Sequence, residues 1–363
     1  MVETGARKVA ICLPNLGGGG AERVVLTLAA DLAARGHKVD LVLIKAVGEL
    51  LPLVPDGVRV VDLKAHRILG ALLPLTRYLR EERPDALHAQ MWPVTVMAIM
   101  AHRLARSRAK LVISEHTTLS RQVRGGVQRR LLEWTTRFFY PLADVRTACS
   151  AASADDLAEL SGIARDRIEV VYNPISLPRR IAVNPNIEAF WKGGGPRIIT
   201  VGSLSTVKNQ ALLLRAFARL ADQRASLVIL GEGELRLDLE RLAAELGIAD
   251  RLAMPGFVID PWPYLAMAQL FVLSSDYEGF PLALVEAMQA GLKIVSTDCL
   301  SGPSEILDNG RYGRLVPCGD ADALAAAMDA ALADPADSNR MQGRAAELSG
   351  PRSLDRFVEL LTA

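Results

Sequence analysis

Cysteine is scarce. None of the four, Cys12, Cys149, Cys299 and Cys318, belongs to a C-x-x-C pair. No Cys/His cluster has metal-ligand spacing either, so a structural zinc site is not expected. Long apolar runs are missing too. No uncharged apolar stretch reaches the roughly 18–20 residues of a membrane span. The richest, residues 91–101, is interrupted by Pro93. The apolar run that follows the opening MVETGARK is too short for the core of a secretion signal. Together these absences point to a reduced, cytosolic chain able to touch a membrane surface without crossing it.

Net charge is almost absent as well, at +1 from 42 Lys and Arg against 41 Asp and Glu. Its distribution is uneven. Residues 1–175 carry 24 basic against 18 acidic side chains, and residues 101–150 carry 10 against 3. Such a basic half is expected to meet something anionic.

What is present is a long alternation. Half of the 363 residues are apolar, enough for a real core, and the length suggests two domains. Short β-branched runs at 9–14, 39–44, 58–63, 111–114, 145–148 and 168–172 read as strands, with a helix over 22–34. Strands this apolar predict a parallel sheet buried on both faces. Asn173-Pro174, Pro178, Pro185 and the Gly193-Gly194-Gly195-Pro196 run then read as a linker. The alternation restarts with strands at 197–202, 226–231, 270–274 and 293–297, and helices over 208–222, 234–246 and 282–290. The expected organisation is a first domain over 1–176, a linker over 177–196 and a second domain over 197–363. The last helix is a candidate to pack back on the first domain. Two such halves predict a cleft lined by strand C-termini, where ligands of open α/β sheets bind.

The first strand runs into Gly17-Gly18-Gly19-Gly20, and a helix opens at Ala21-Glu22. Adjacent glycines let backbone N–H groups approach an anion beside a helix N-terminus. A plain strand-to-helix turn is the alternative. The dinucleotide fingerprint G-x-G-x-x-G fails at Glu22, and no Tyr has Lys four residues later, which argues against a nicotinamide enzyme. In the second half, Gly202-Ser203 ends a strand and Lys208-Asn209 opens a helix, a position suited to a phosphate. The most informative stretch begins Asp276-Tyr277-Glu278-Gly279-Phe280-Pro281-Leu282 and reaches Glu286. Here two acidic residues eight apart flank a helix start. They could hold sugar hydroxyls on either side of a diphosphate, or be a solvated Glu278 and a Glu286 that complements the helix dipole.

The Glu278 and Glu286 spacing is the E-x7-E pattern of retaining glycosyltransferases of family 4, and the chain resembles that family from about Lys8 to its last helix. The glycine loop GGGGAER, Lys208-Asn209, GEGELR, PLALVEAM and the loop Ser301-Gly302-Pro303-Ser304-Glu305 occur in the family's order. The resemblance implies a GT-B fold, with two Rossmann-like α/β domains facing a central cleft. It implies that Glu286 binds ribose hydroxyls and Glu278 those of the transferred sugar. Gly279, Phe280, Pro281 and Leu282 would belong to the donor site, with backbone N–H groups from Phe280 to Ala283 meeting the diphosphate or sugar, Lys208 on the diphosphate and Gly18 and Gly19 near the phosphates. Gly202 and Ser203 would belong to the donor site. Ser203 is a departure, since the family usually places Arg there, so half of a cationic clamp is missing. The Ser114-Glu115-His116 run resembles members that extend polyprenyl-diphosphate-linked saccharides, in which His116 would contact the donor sugar near the reacting carbon.

The catalytic set expected from this resemblance is His116, Glu278 and Lys208. No cofactor is expected. A nucleotide sugar is the substrate, with a UDP-sugar favoured over a GDP-sugar. No metal is expected either, because the nearest Asp-x-Asp, Asp320-Ala321-Asp322, sits at a helix start in the tail. The leaving diphosphate would instead be stabilised by Lys208 and N–H groups. Residues 121–140 read as a basic, aromatic helix from Val127, with Leu131, Leu132, Trp134, Phe138 and Phe139 edged by arginines. Either it packs on its domain as an ordinary amphipathic helix, or Arg124, Arg129 and Arg130 serve an acceptor and an anionic lipid surface. No nucleic-acid motif accompanies these arginines. The expected partners are therefore a nucleotide sugar, a glycan or lipid-linked glycan acceptor and an anionic membrane surface. The expected location is cytoplasmic, peripheral on the inner membrane. Two alternatives compete: a soluble small-sugar synthase of the same fold, and a non-catalytic relic that only binds a nucleotide sugar.

Overall fold

A computed structural model describes residues 5–123, 125–175, 187–349 and 351–363. The chain divides into two compact units, Met1–Ile175 with Gly350–Ala363, and Ser176–Ser349. In the first unit the order is β1 (Lys8–Leu13), α1 (Gly20–Ala34), β2 (Lys38–Leu43), β3 (Val58–Asp62), α2 (Leu72–Glu82), β4 (Ala86–Gln90), α3 (Val94–Ala105), β5 (Lys110–Glu115), α4 (Leu119–Gln122), α5 (Gly126–Phe139), β6 (Val145–Ala148), α6 (Ala151–Ser161) and β7 (Glu169–Val170). The strands form one seven-stranded sheet in the order β3-β2-β1-β4-β5-β6-β7. All its pairings are parallel, with Ala10 opposite Leu87 and Leu87 opposite Leu111. Parallel neighbours need crossovers, and helices supply most of them.

The second unit follows with β8 (Arg197–Val201), α7 (Gln210–Phe217), β9 (Ser226–Leu230), α8 (Arg236–Glu245), β10 (Leu252–Gly256), α9 (Trp262–Leu265), β11 (Leu270–Leu273), α10 (Leu282–Gln289), β12 (Lys293–Thr297), α11 (Pro303–Ile306), β13 (Arg314–Val316), α12 (Ala321–Ala333) and α13 (Ser338–Ser349). Its six parallel strands run β10-β9-β8-β11-β12-β13. The last helix, α14 (Pro351–Thr362), belongs to the first unit, where Phe357 is buried against His88 with ring centroids 5.6 Å apart.

The central strands are buried as their composition demands, β1 after Lys8 and β9 throughout. The stretch 58–63 is the exception to two-sided burial. As β3 it forms the sheet edge, and Arg59, Val60 and Asp62 are exposed because among the described residues no further strand pairs with its outer side. The helix expected over 208–222 is shorter. Asn209 adopts a left-handed conformation and its side-chain oxygen caps the Leu212 N–H at 3.3 Å, so α7 starts at Gln210, two residues later than expected, and it ends at Phe217. Of the expected linker, 177–186 lies outside the described residues, as does residue 176 before it. Ile187 and Trp191 are buried within the second unit. Asn173, read with that linker from its Pro neighbour, is instead buried in the first unit because its amide finds a partner there.

Candidate functional site

In each sheet the strand order reverses beside the first strand, at β1/β4 and at β8/β11. The C-terminal edge at such a reversal is where adjoining loops diverge and a ligand can sit. In the second unit the two loops are those after β8 and β11, and they carry Lys208 and Glu278. The Lys208 Nζ donates to Glu278 Oε1 at 2.6 Å. The same oxygen accepts from Ser275 Oγ at 2.6 Å. Ser301 Oγ donates to the Glu278 carbonyl at 2.6 Å, and the Glu278 N–H donates to the Leu300 carbonyl. Glu278 is buried, so the solvated alternative fails.

The β8 loop is fixed to the β11 loop at further points. Ser274 Oγ donates to the Lys208 carbonyl at 2.9 Å, and Asn209 Nδ2 to Asp276 Oδ1 at 2.9 Å. The Lys208 stem lies across Gly202. Gly231 has φ +145°, and a Cβ there would collide with the Gly202 carbonyl, so this turn admits only glycine. Beyond Glu278 the chain turns through Gly279, buried Phe280 and Pro281 into α10, with Leu282 at its first turn and Glu286 one turn further, half-buried. A Cβ at Gly302 (φ +93°) would collide with the Pro281 ring, which holds the Ser301 loop against this helix start.

Ser203 is exposed, and its Oγ lies 3.2 Å from Ser205 Oγ. Arg236, at the start of α8, does not stand in for the missing arginine: its guanidinium is committed to Glu232, Glu240 and the Met254 carbonyl. Asp320 of the Asp-x-Asp run caps the Ala323 N–H, and Asp322 pairs with Arg219. Among the described residues no group of three or more His, Cys, Asp or Glu could hold a metal ion.

In the first unit the loop after β1 places Gly18 at the surface and Gly19 at the N-cap of α1. The Glu22 carboxylate folds back over Gly19, where a Cβ would collide with it. Burial pushes the Glu22 carboxyl above its ordinary range. A phosphate approaching Gly18 and Gly19 therefore meets a competing carboxylate.

His116 lies beyond β5, half-buried. Its Nε2 is 2.7 Å from Gln90 Oε1 and its Nδ1 is 3.0 Å from Asn173 Oδ1. Burial holds the ring down at about 4, so it is neutral at pH 7. Its neighbour Glu115 is fully buried. It accepts from the Trp92 N–H at 3.1 Å, Thr95 Oγ1 at 3.2 Å and Tyr140 Oη at 2.5 Å. Gln90 and His88 do not stand out in the sequence reading; Glu115 enters it only within the Ser114-Glu115-His116 run, and Asn173 only as part of the linker. The signal for the first two was available: His88 and Gln90 stand two apart on one face of an otherwise apolar strand.

The α5 helix buries Leu132, Thr135 and Thr136, and leaves Val127, Leu131, Trp134 and Phe138 exposed. Arg129, Arg130, Arg137, Glu133, Trp134 and Glu159 line an open surface concavity of about 420 Å³. Arg129 is partly engaged, donating to Glu133 and to the Ser120 carbonyl. Arg124 lies outside the described residues.

Both units match known proteins. Residues 18–179 match the model described as Glycosyltransferase Family 4, and residues 187–348 the one described as Glycosyl transferases group 1. A Campylobacter jejuni N-acetylgalactosamine-N,N'-diacetylbacillosaminyl-diphospho-undecaprenol 4-alpha-N-acetylgalactosaminyltransferase is 30% identical, over 85% of this chain and 86% of its own. A Bacillus anthracis N-acetyl-alpha-D-glucosaminyl L-malate synthase is 27% identical over 86% of this chain and 84% of its own. Among solved structures, Anabaena HepE in complex with UDP-glucose superposes with a TM-score of 0.84 at 20% identity, covering 97% of this chain and 98% of that one. Two parallel Rossmann-like sheets with these neighbours define a glycosyltransferase of GT-B architecture. The chain belongs to glycosyltransferase family 4.

Proposed function

We propose that this glycosyltransferase moves a hexose or N-acetylhexosamine from a UDP-sugar to a polyprenyl-diphosphate-linked saccharide, with retention and without a metal. The observation that carries the reading is the Lys208 and Glu278 pair set beside the first turn of α10, with Glu286 one turn on. Lys208 would meet the diphosphate, with the α10 N–H groups beside it; Glu278 would hold sugar hydroxyls and Glu286 the ribose. Glu278 already spends an oxygen on Lys208 and Ser275, which suits binding better than nucleophilic attack. Cleavage of the anomeric C–O bond would send its electron pair to the diphosphate and leave an oxocarbenium-like sugar. The acceptor hydroxyl would then attack the same face and give its proton to a diphosphate oxygen.

Two observations favour a lipid-linked acceptor. The exposed face of α5 presents Trp134 and Phe138, with ring centroids 5.2 Å apart, beside the arginine-lined concavity. The Campylobacter relative is named for a diphospho-undecaprenol acceptor. The same surface supports work at the cytoplasmic face of the inner membrane, and among the described residues no helix is long and apolar enough to span one. The small-acceptor reading rests on the Bacillus relative, an N-acetyl-alpha-D-glucosaminyl L-malate synthase.

The first test is a thermal-shift screen of UDP- and GDP-sugars. A ligand at a hundred times its Kd stabilises by about 2.7 kcal/mol. UDP-sugars should raise the melting temperature by several degrees. A response to GDP-sugars alone would overturn the donor assignment.

A further inference from the structure

A buried polar chain runs from the core of the first unit to His116. Thr147 Oγ1 lies 3.5 Å from the Ile113 carbonyl, to which it can only donate. Ser114 Oγ is 2.6 Å from Thr147 Oγ1, and His88 Nε2 is 2.6 Å from Ser114 Oγ. Gln90 Nε2 then lies 3.5 Å from His88 Nδ1, and Gln90 Oε1 faces His116 Nε2 at 2.7 Å. His88 and Gln90 have no exposed surface, and Ser114 and Thr147 almost none.

Each link fixes the next. A carbonyl end makes Thr147 a donor there and an acceptor for Ser114. Ser114 then accepts from His88 Nε2–H, because its own proton is spent. A neutral His88 with its proton on Nε2 has an accepting Nδ1, which suits the Gln90 amide NH2. That leaves the Gln90 carbonyl pointing at His116, where only an N–H satisfies it. Burial holds both rings neutral at pH 7.

We propose that Gln90 and His88 are positioning residues that hold His116 as its Nε2–H tautomer, leaving Nδ1 as the ring's accepting edge. Asn173 stands at that edge, and its amide can turn its NH2 toward it. A ligand hydroxyl that displaces Asn173 would thus have to donate to His116. The structural part stands on the hydrogen-bond chain alone; the role in sugar recognition rests on the proposed function.

The test is long-range ¹H–¹⁵N correlation on the ¹⁵N-histidine-labelled full chain at pH 7.5. Only five histidines are present, so the rings can be assigned by their loss in His88→Asn and His116→Asn. The wild type should show His116 with a protonated Nε2 and an unprotonated Nδ1. In Gln90→Leu the Nε2–H would be buried without an acceptor, so the proton should move to Nδ1, facing the Asn173 carbonyl. Gln90→Glu restores an acceptor and should restore the Nε2–H signature. A wild-type Nδ1–H ring, or a Gln90→Leu spectrum like wild type, overturns the proposal. Turnover separates it from the wider reading. Gln90→Leu should lower kcat at least tenfold with UDP affinity unchanged. If His116→Ala keeps full turnover, the role of His116 in the reaction fails while the tautomer result stands.

Discussion

Lys208 and Glu278 form an ion pair of 2.6 Å across 70 residues of sequence, and it ties the loop after β8 to the loop after β11. Glu278 is nearly buried and Lys208 is about a quarter exposed. The pair holds the two loops together, and under the proposed function it also keeps a cation for the diphosphate. Removing the cation strands a buried carboxylate, whereas removing the carboxylate frees the cation. Lys208→Met keeps the apolar stem over Gly202. It should lower the melting temperature and weaken UDP binding by about 1.5–3 kcal/mol, the worth of a hydrogen bond to a charged group. Glu278→Gln should leave UDP binding unchanged or tighter and still abolish most turnover. Calorimetry with UDP on both variants checks this. Equal losses would contradict the division of roles.

Glu286 stands a turn away from that pair, on α10 itself. Glu286→Ala should weaken binding of UDP and of UDP-sugar alike, because the contact assigned to it is ribose. A variant that loses only sugar affinity would move Glu286 to the other side of the diphosphate.

The pattern of what could be read from sequence follows the range of the interactions. The alternation of strands and helices and the pair of glutamates eight apart are local signals: most of the expected strands form, 168–172 shortens to Glu169–Val170, and Glu286 lies on the helix that follows Glu278. The β4 strand was missed because His88 and Gln90 break its apolar run, and their reason for being there is a partner in β5 and beyond. The Lys208 and Glu278 contact depends on which strands become neighbours, and β8 beside β11 is a crossover that spacing along the chain does not reveal. The direction of α5 was likewise undetermined. Its periodicity fits burial of Trp134 and Phe138 as well as exposure, and only packing shows that Leu132, Thr135 and Thr136 take the inner face.

Glu115 gives a pH dependence that can be isolated. Burial pushes its carboxyl up to about 7 from an ordinary 4.5. Between those values the unfolded chain has released the proton and the folded chain has kept it. Stability therefore falls as pH rises through that window, and above it the full cost, on the order of 3 kcal/mol, is present. His116, held down at about 4, acts in the opposite direction, losing stability as pH falls from 6.5. Glu115→Gln retains an acceptor for the Trp92 N–H and gains a donor toward the Tyr140 or Thr95 hydroxyl. Its melting temperature relative to wild type should rise from pH 5 to pH 8. A difference that does not change with pH would contradict the buried-acid account.

The α5 arginines should act on the acceptor alone. Neutralising Arg129 and Arg130 together, as Arg129→Gln and Arg130→Gln, should raise the acceptor KM and reduce binding to anionic liposomes. Donor affinity should be unchanged. A basic residue near an anionic membrane is worth about 1 kcal/mol, so the pair should change binding by an order of magnitude or more. If lipid-linked and short soluble acceptors respond identically in wild type and double variant, α5 is an ordinary amphipathic helix.

The central claim is transfer with retention from a UDP-sugar to a polyprenyl-diphosphate-linked saccharide, supported by Lys208 and helix N–H groups in place of a metal. The most direct measurement incubates the full chain with a UDP-sugar and a polyprenyl-diphosphate saccharide in excess EDTA, and determines the anomeric configuration of the product by NMR. The account predicts an extended lipid-linked glycan, formed at full rate without metal and with the donor's anomeric configuration kept. Transfer restored only by Mg²⁺ or Mn²⁺, an inverted product, or transfer confined to a small soluble acceptor would contradict it.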